Sequence, residues 1–223
     1  QAEDGIRDSV ASRGLGDVYK RQALVPAFAS GRGQDILRIL NRDVPHLNVH
    51  FDGMGTRLTK AWLQFPEFNN NFKDLLKTWK WARRVYGKSD RKKALKADVI
   101  VTTSGMLDGG PALWYLNRLN SNRSNAILLT GYQAEGSGGR KLLDEGKLSI
   151  YGKMTEINLE INQYALSNHA DGPSLVKFAK ECSPKEIVIF HAPTEGILSL
   201  NKELKEEFKV YLPENNKQLF LNR

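Results

Sequence analysis

Residues 98–119 read Asp98-Val-Ile-Val-Thr-Thr-Ser-Gly-Met-Leu-Asp-Gly-Gly-Pro-Ala-Leu-Trp-Tyr-Leu-Asn-Arg-Leu119. The unbroken triplet Val99-Ile-Val101, followed by two β-branched threonines, predicts a buried strand over 98–103. Gly109 and Gly110 let the chain turn, and Pro111 suits the first turn of a helix over 110–119. Strand, glycine-rich loop and helix, in that order, form the repeating unit of a parallel α/β sheet.

The unit recurs on both sides of this stretch. Residues 23–28 read as a buried strand and 34–40 as a helix; 47–51 read as a strand, followed by a largely helical stretch over 56–96. Residues 125–130 and 139–145 repeat strand and helix. An α/β fold with a parallel sheet flanked by helices is therefore expected. After Gly146 the texture changes. Residues 148–151 and 155–164 read as consecutive strands, followed by a helix over 173–180, a strand over 186–190, a helix over 195–208 and short terminal strands. A boundary near Gly146 and Lys147 follows, with one part at 23–146 and another at 147–223.

Composition narrows the class. A chain of 223 residues with 40% hydrophobic content can bury a sizeable core, which excludes a disordered or collagen-like chain. No apolar run approaches the length that spans a bilayer, so no membrane partner is expected. A single cysteine, Cys182, excludes an internal disulfide and fits a reducing, cytoplasmic setting. The formal net charge of +8 hints at a polyanionic partner. It is concentrated: residues 77–96 hold Lys or Arg at 77, 80, 83, 84, 88, 91, 92, 93 and 96 against Asp90 as the one acid. Trp79, Trp81 and Tyr86 are interleaved. Two readings stand: a solvated basic helix with its aromatics packed inward, or a contact to RNA in which Lys88, Arg91, Lys92 and Lys93 meet phosphates.

The first 22 residues, QAEDGIRDSVASRGLGDVYKRQ, lack both sustained apolar periodicity and the layout of a signal peptide. Their ends resemble translated sequencing-adapter stretches, so 1–22 is expected to be a non-native segment and the natural protein to continue upstream of Ala23.

Ligands of parallel sheets bind at the carboxyl ends of the strands, so the loops that follow strands are the candidate sites. In Phe28-Ala-Ser-Gly-Arg-Gly-Gln-Asp35, Gly31 and Gly33 precede a helix and Asp52 follows the next strand. This imitates a dinucleotide fingerprint, but Ile36 replaces its third glycine; a Rossmann-like nucleotide-binding protein is one alternative, and a tight turn with Arg32 exposed is another. In the loop after the opening stretch's strand, Ser104, Gly109 and Gly110 allow a close approach to an anion. In Gly131-Tyr-Gln-Ala-Glu-Gly-Ser-Gly-Gly-Arg140, backbone amides around Gly136 and Gly138, the Ser137 hydroxyl and Arg140 could together cradle a phosphate. The alternative for both loops is a glycine-rich turn with no ligand. His169 and His191 form a further candidate pair, His191 at the end of a short apolar strand. His46 and His50 share a strand, too far apart to chelate readily, and read as structural or exposed.

Taken in order, Val25-Pro-Ala-Phe-Ala-Ser-Gly-Arg-Gly-Gln34, Val101-Thr-Thr-Ser-Gly-Met-Leu-Asp-Gly-Gly-Pro111, Gly131-Tyr-Gln-Ala-Glu-Gly-Ser-Gly-Gly-Arg140, Ser167-Asn-His-Ala-Asp171 and the strand ending at His191 resemble the β-CASP group of metallo-β-lactamase-fold ribonucleases. That group includes RNase J and the endonuclease subunit of the cleavage and polyadenylation specificity factor. The resemblance implies a Rossmann-like β-CASP domain at 23–146 and, at 147–223, the C-terminal αβ part of a lactamase-fold domain. The N-terminal half of that domain, with its His-x-His-x-Asp-His motif, is missing from the 223 residues and becomes an expected partner. The implied chemistry is zinc-dependent phosphodiester hydrolysis on RNA, with two zinc ions in an intact member. His191 would be a zinc ligand and His169 a positioned acid; Ser167 and Asp171 would orient the rings. Arg32, Ser104, Gly109, Gly110, Gly136, Ser137, Gly138 and Arg140 would contact the RNA backbone. Two features depart from the pattern: Ala192-Pro193 stands where Gly-Glu is usual, and Asn168 where a small residue is usual. A catalytically inactive RNA-binding scaffold is thus the second expectation. A fragment inactive alone and a homodimer complete the set.

Overall fold

The computed structural model describes residues 21–166 and 170–220. These form two compact units that divide between Leu166 and Ser167.

The first unit is built on a six-stranded parallel sheet. Its elements in chain order are β1 (Ala23–Pro26), α1 (Arg32–Asp43), β2 (Val49–Asp52), α2 (Met54–Trp62), a 3-10 turn at Pro66–Phe68, α3 (Phe72–Trp81), β3 (Arg83–Arg84) and α4 (Lys88–Ala94). Then follow β4 (Val99–Thr102), α5 (Gly110–Leu119), β5 (Ala126–Leu129), α6 (Gly138–Glu145), the hairpin strands β6 (Lys147–Ile150) and β7 (Lys153–Glu156), and β8 (Glu160–Gln163). The strand order is β3-β2-β4-β1-β5-β8, and every pairing is parallel. Among the described residues only β6 and β7 pair antiparallel, as a separate hairpin.

Strand period and helix period explain the two-sided core. Successive residues of a strand face opposite sides, so Leu24, Ile100 and Ile127 point to one layer and Val25, Val101 and Leu128 to the other. The first layer is closed by Leu113, Tyr115 and Leu116 of α5 and Leu142 of α6. The second is closed by Ile36, Leu37 and Leu40 of α1, with Trp79 and Trp81 packed at its margin. Buried on both faces, the central strands carry no polar alternation.

The stretch over 56–96 is not one helical region. It contains two helices, a short 3-10 turn and α4, and the two arginines of β3 join the sheet edge through backbone pairing with His50 and Phe51. The residues over 155–164 also divide. Part belongs to the hairpin, whereas β8 runs parallel to β5 and extends the main sheet. Gln22, read on sequence as the end of a foreign segment, is buried and tied in: its side-chain amide donates to the carbonyls of Leu95 (2.9 Å) and Ala97 (2.6 Å). Residues 1–20 lie outside the described residues.

The second unit contains α7 (Gly172–Cys182), β9 (Glu186–Val188), α8 (Thr194–Leu204) and β10 (Lys209–Tyr211). The two strands pair in parallel, and Val176, Ile189 and Leu204 form its small core.

Candidate nucleic-acid interface

The carboxyl-terminal edge of the six-stranded sheet is where the glycine-rich loops converge. Hydrogen bonds tie the loop after β4 to the loop after β5. The Gly138 amide donates to the Asp108 carboxylate at 2.7 Å and the Gly139 amide to the Met106 carbonyl at 2.7 Å. Ser137 caps α6, its hydroxyl oxygen accepting from the Arg140 amide at 3.2 Å. Arg140 directs its guanidinium at Asp144 one turn on, a pairing that raises the arginine pKa and lowers that of the carboxyl. Within 136–140 the amides of Ser137, Gly138, Gly139 and Arg140 thus already have acceptors in the chain, and Asp108 supplies a negative charge of the kind that a helix N-terminus attracts.

Steric packing accounts for two of these glycines. A Cβ on Gly138 would lie 2.5 Å from the Leu107 carbonyl oxygen, and one on Gly105 would lie 3.0 Å from the Phe28 nitrogen. Gly109 has open space around its Cβ position, as does Gly136. Gly110 adopts φ +69 and hugs the Thr103 carbonyl, which also accepts from the Ala112 amide at 2.9 Å, so it serves the start of α5. Ser104 is half-buried in the same loop.

Asp52, the acid of the imitated dinucleotide fingerprint, is engaged inside the fold. Its carboxylate is only 2% exposed and accepts from Arg91 Nε (2.7 Å), Arg91 Nη2 (3.4 Å), Tyr115 Oη (2.8 Å) and the Gly53 amide (2.6 Å). No oxygen is left for a ribose, so the dinucleotide-like reading has no acceptor here. The hydrogen bond to Asp52 raises the Arg91 pKa, while burial is the largest cause raising that of the Tyr115 phenol, with Asp52 adding to it. Arg91 therefore leaves the set of free cations. Lys93 pairs with Asp90 at 3.2 Å, while Lys88 and Lys92 stand exposed on α4.

Arg32 opens α1 directly after the loop of β1. It is buried, and its Nε has no hydrogen-bond partner among the described residues. Burial pushes its pKa down, with Asp35 opposing. On β2, His50 is buried with Nδ1 unpartnered, and its pKa is lowered first by burial and then by Arg83; His46 is exposed.

In the second unit, His191 follows β9 and is exposed, with φ 61. A left-handed conformation at a residue bearing a Cβ is uncommon, and it turns the imidazole's chain segment sharply out of the strand direction. His191 lines a cleft of about 580 Å³ with Phe190, Ile197, Leu212 and Glu214. Asp171 caps α7, accepting from the Ser174 amide at 2.8 Å, and those hydrogen bonds hold its carboxyl below the usual range. Ser167 and His169 lie outside the described residues. Among the described residues no group of three or more His, Cys, Asp or Glu side chains could hold a metal ion. One imidazole does not make a zinc site.

Two family models match the chain in sequence order. The Beta-Casp domain matches residues 34–142, and the Zn-dependent metallo-hydrolase RNA specificity domain matches residues 154–213. The chain belongs to the β-CASP family. It is 36% identical over 197 residues to the "Probable RNase MJ4" of Methanocaldococcus jannaschii, covering 86% of this chain and 46% of that protein. It is 37% identical over 203 residues to "RNase aCSPSF2" of Saccharolobus solfataricus, covering 89% of this chain and 41% of that protein. The "Transcription termination factor FttA" of M. jannaschii is 31% identical over 225 residues, with 87% and 35% covered. This β-CASP chain spans less than half the length of these curated relatives. No helix among its described residues is long and apolar enough to cross a membrane.

Proposed function

We propose that the chain is the RNA-holding part of a zinc-dependent ribonuclease, with 23–146 the β-CASP insert and 147–223 the returning end of a lactamase-fold domain. The observation that carries the reading is the ordered match of both family models, together with relatives named as RNases. Cytoplasmic placement and RNA as substrate belong to the same proposal.

The roles follow from the chemistry of each group. Arg32 is a desolvated guanidinium with an unpartnered Nε, and a buried cation is costly unless an anion pairs with it. A backbone phosphate is the anion proposed. Lys88 and Lys92 attract the strand by releasing counterions. Ser104 and the open backbone at Gly109 remain as polar contacts in the loop after β4. His191 presents one imidazole at the mouth of its cleft, and His169 is assigned the proton for the leaving oxygen. The described residues do not by themselves form a zinc site.

A scaffold without activity is the second reading. It rests on Ala192-Pro193: Pro193 serves as the N-cap residue of α8 without any side-chain hydrogen bond, so no acid directly follows His191.

The purified 223-residue chain tests the proposal. It should bind a labelled single-stranded RNA with affinity that falls steeply with salt, and should leave that RNA intact in the presence of zinc. Robust zinc-dependent cleavage would refute the division of labour between this chain and a missing half. Absence of RNA binding at low salt would refute the RNA reading itself.

A further inference from the structure

The loops that leave the sheet at its carboxyl-terminal edge carry a second feature besides glycine. Each of four strands is followed within three residues by a large apolar side chain in the open. Phe28 follows β1 and is 45% exposed, Met54 follows β2 (62%), Tyr86 follows β3 (68%) and Tyr132 follows β5 (70%).

Register sets the ends of the strands that carry them. Pro26 and Asp52 both pair with Thr102, so β1, β2 and β4 end level, and Phe28 and Met54 follow two residues beyond, Met54 as the first residue of α2. Phe51 pairs with Arg84, the last residue of β3, and Tyr86 follows two residues on. Leu24 pairs with Ile127, so β5 runs beside β1, and Tyr132 follows its last residue, Leu129, by three. The four side chains therefore leave from four of the six strands at the edge where parallel sheets take ligands. A single exposed aromatic is ordinary; four exposed apolar side chains on the loops of one sheet edge call for an explanation. Cations follow the rings along the chain: Arg32 begins the helix after Phe28, and Lys88 begins the helix after Tyr86.

We infer that Phe28, Tyr86 and Tyr132, with the soft thioether of Met54, form a stacking platform for the bases of single-stranded RNA. This rests on the RNA reading above and names the side chains that meet the bases. Single-stranded bases expose π-faces to aromatic rings, whereas an A-form duplex keeps them paired and stacked inside. With positive charge alongside for the phosphates, the edge matches single-strand binding that tolerates any sequence.

Fluorescence anisotropy on the 223-residue chain decides it, with three probes: a single-stranded RNA, an abasic ribose-phosphate oligomer of equal length, and a blunt RNA duplex. Phe28→Ala, Tyr86→Ala and Tyr132→Ala should each weaken single-strand binding about tenfold, with the salt slope unchanged because no ion pair is lost. Binding of the abasic oligomer and the duplex should not respond to these changes. Tyr132→Phe keeps the ring and should retain the parent affinity, which separates stacking from any disturbance of the fold. Parent-like affinity of all three alanine variants for single-stranded RNA overturns the platform while leaving the RNA reading standing. The same result with an increased monomer fraction marks the four side chains as a protein-covered surface, and also overturns it. A parent chain that binds none of the probes removes the RNA reading and the platform together.

Discussion

Replacing Asp52 by alanine should destabilise the first unit by about 3 kcal/mol. The figure follows from what the carboxylate holds. Its removal strands the Tyr115 hydroxyl, which sits in a residue with no exposure and now has no acceptor; a buried donor left unsatisfied costs about 1–3 kcal/mol. It also strands the Arg91 guanidinium. Losing one partner of a fully buried ion pair costs about 3–5 kcal/mol, but the Arg91 side chain is 32% exposed and can turn toward water, so only a fraction of that applies. The sum stays near 3 kcal/mol because both groups lose the same acceptor. For a unit of this size it corresponds to a fall in Tm of roughly 6–12 °C. Tryptophan fluorescence is a clean probe, since Trp62, Trp79, Trp81 and Trp114 all lie in the first unit, and Trp114 meets Tyr115 edge-on at 5.0 Å. Tyr115→Phe, which leaves the Asp52–Arg91 pair in place, should cost only about 1 kcal/mol. In the double variant the two losses should be less than additive, because both remove the same hydrogen bond. A melting temperature for Asp52→Ala within 2 °C of the parent would refute the clamp.

Three further predictions address the same edge. Lys88→Glu with Lys92→Glu should lower the salt slope of RNA binding by about 2, whereas Lys93→Glu, whose amine already faces Asp90, should change it less; equal effects would mean these ion pairs do not govern access. Gly138→Ala forces a Cβ against the Leu107 carbonyl and should cost about 1–3 kcal/mol in urea unfolding, while Gly109→Ala, with open space, should stay within about 0.5 kcal/mol. His50 has a folded pKa below its ordinary 6.5, so the unfolded chain binds the proton more readily. Stability should therefore be complete above about pH 6.5 and decline as pH falls from there toward the folded value, and His50→Gln should flatten that decline in urea titrations at pH 7.5 and 5.5.

Which parts of this fold are legible in the sequence depends on where the signal is carried. The inner strands announce themselves because both faces are buried: Val99-Ile-Val and Ala126-Ile-Leu-Leu contain nothing polar to interrupt them. Helix α5 is equally plain, since Pro111 fixes its start and Leu113, Leu116 and Leu119 follow at helical spacing. Strand β3 is the opposite case. It consists of Arg83 and Arg84 and joins the sheet by backbone hydrogen bonds alone, so no side-chain pattern marks it. The pairing of β8 with β5 is hidden for a related reason, because Glu-Ile-Asn-Gln describes an edge strand without naming its neighbour. At the site, the glycine motifs are visible, but their purpose is not. Only the folded register shows that Gly138 meets Leu107 and that Asp108 reaches the start of α6. The role of Asp52 is equally hidden, since the partners that occupy it stand 39 and 63 residues away along the chain.

The internal bonding of these loops constrains how the edge can hold a polyanion. A phosphate cradle of the nest type needs free backbone amides, and here those of Gly138, Gly139 and Arg140 already have acceptors. On the proposed reading an incoming strand is therefore held mainly by side chains, with the open backbone at Gly109 beside them: Arg32 with its unpartnered Nε, the lysines of α4, and the exposed rings. Such contacts reach the phosphates through flexible or point-charge groups and the bases through their faces. Contacts to phosphates and to ring faces carry no donor–acceptor pattern of a base edge. Binding at this edge should thus depend strongly on ionic strength and weakly on sequence. If the Asp108 carboxylate instead gave way to a phosphate, Asp108→Ala would raise RNA affinity and add a contact to the salt slope. With the loops bonded as they are, that substitution should only weaken the start of α6, by about 1 kcal/mol, and leave the RNA affinity where it was.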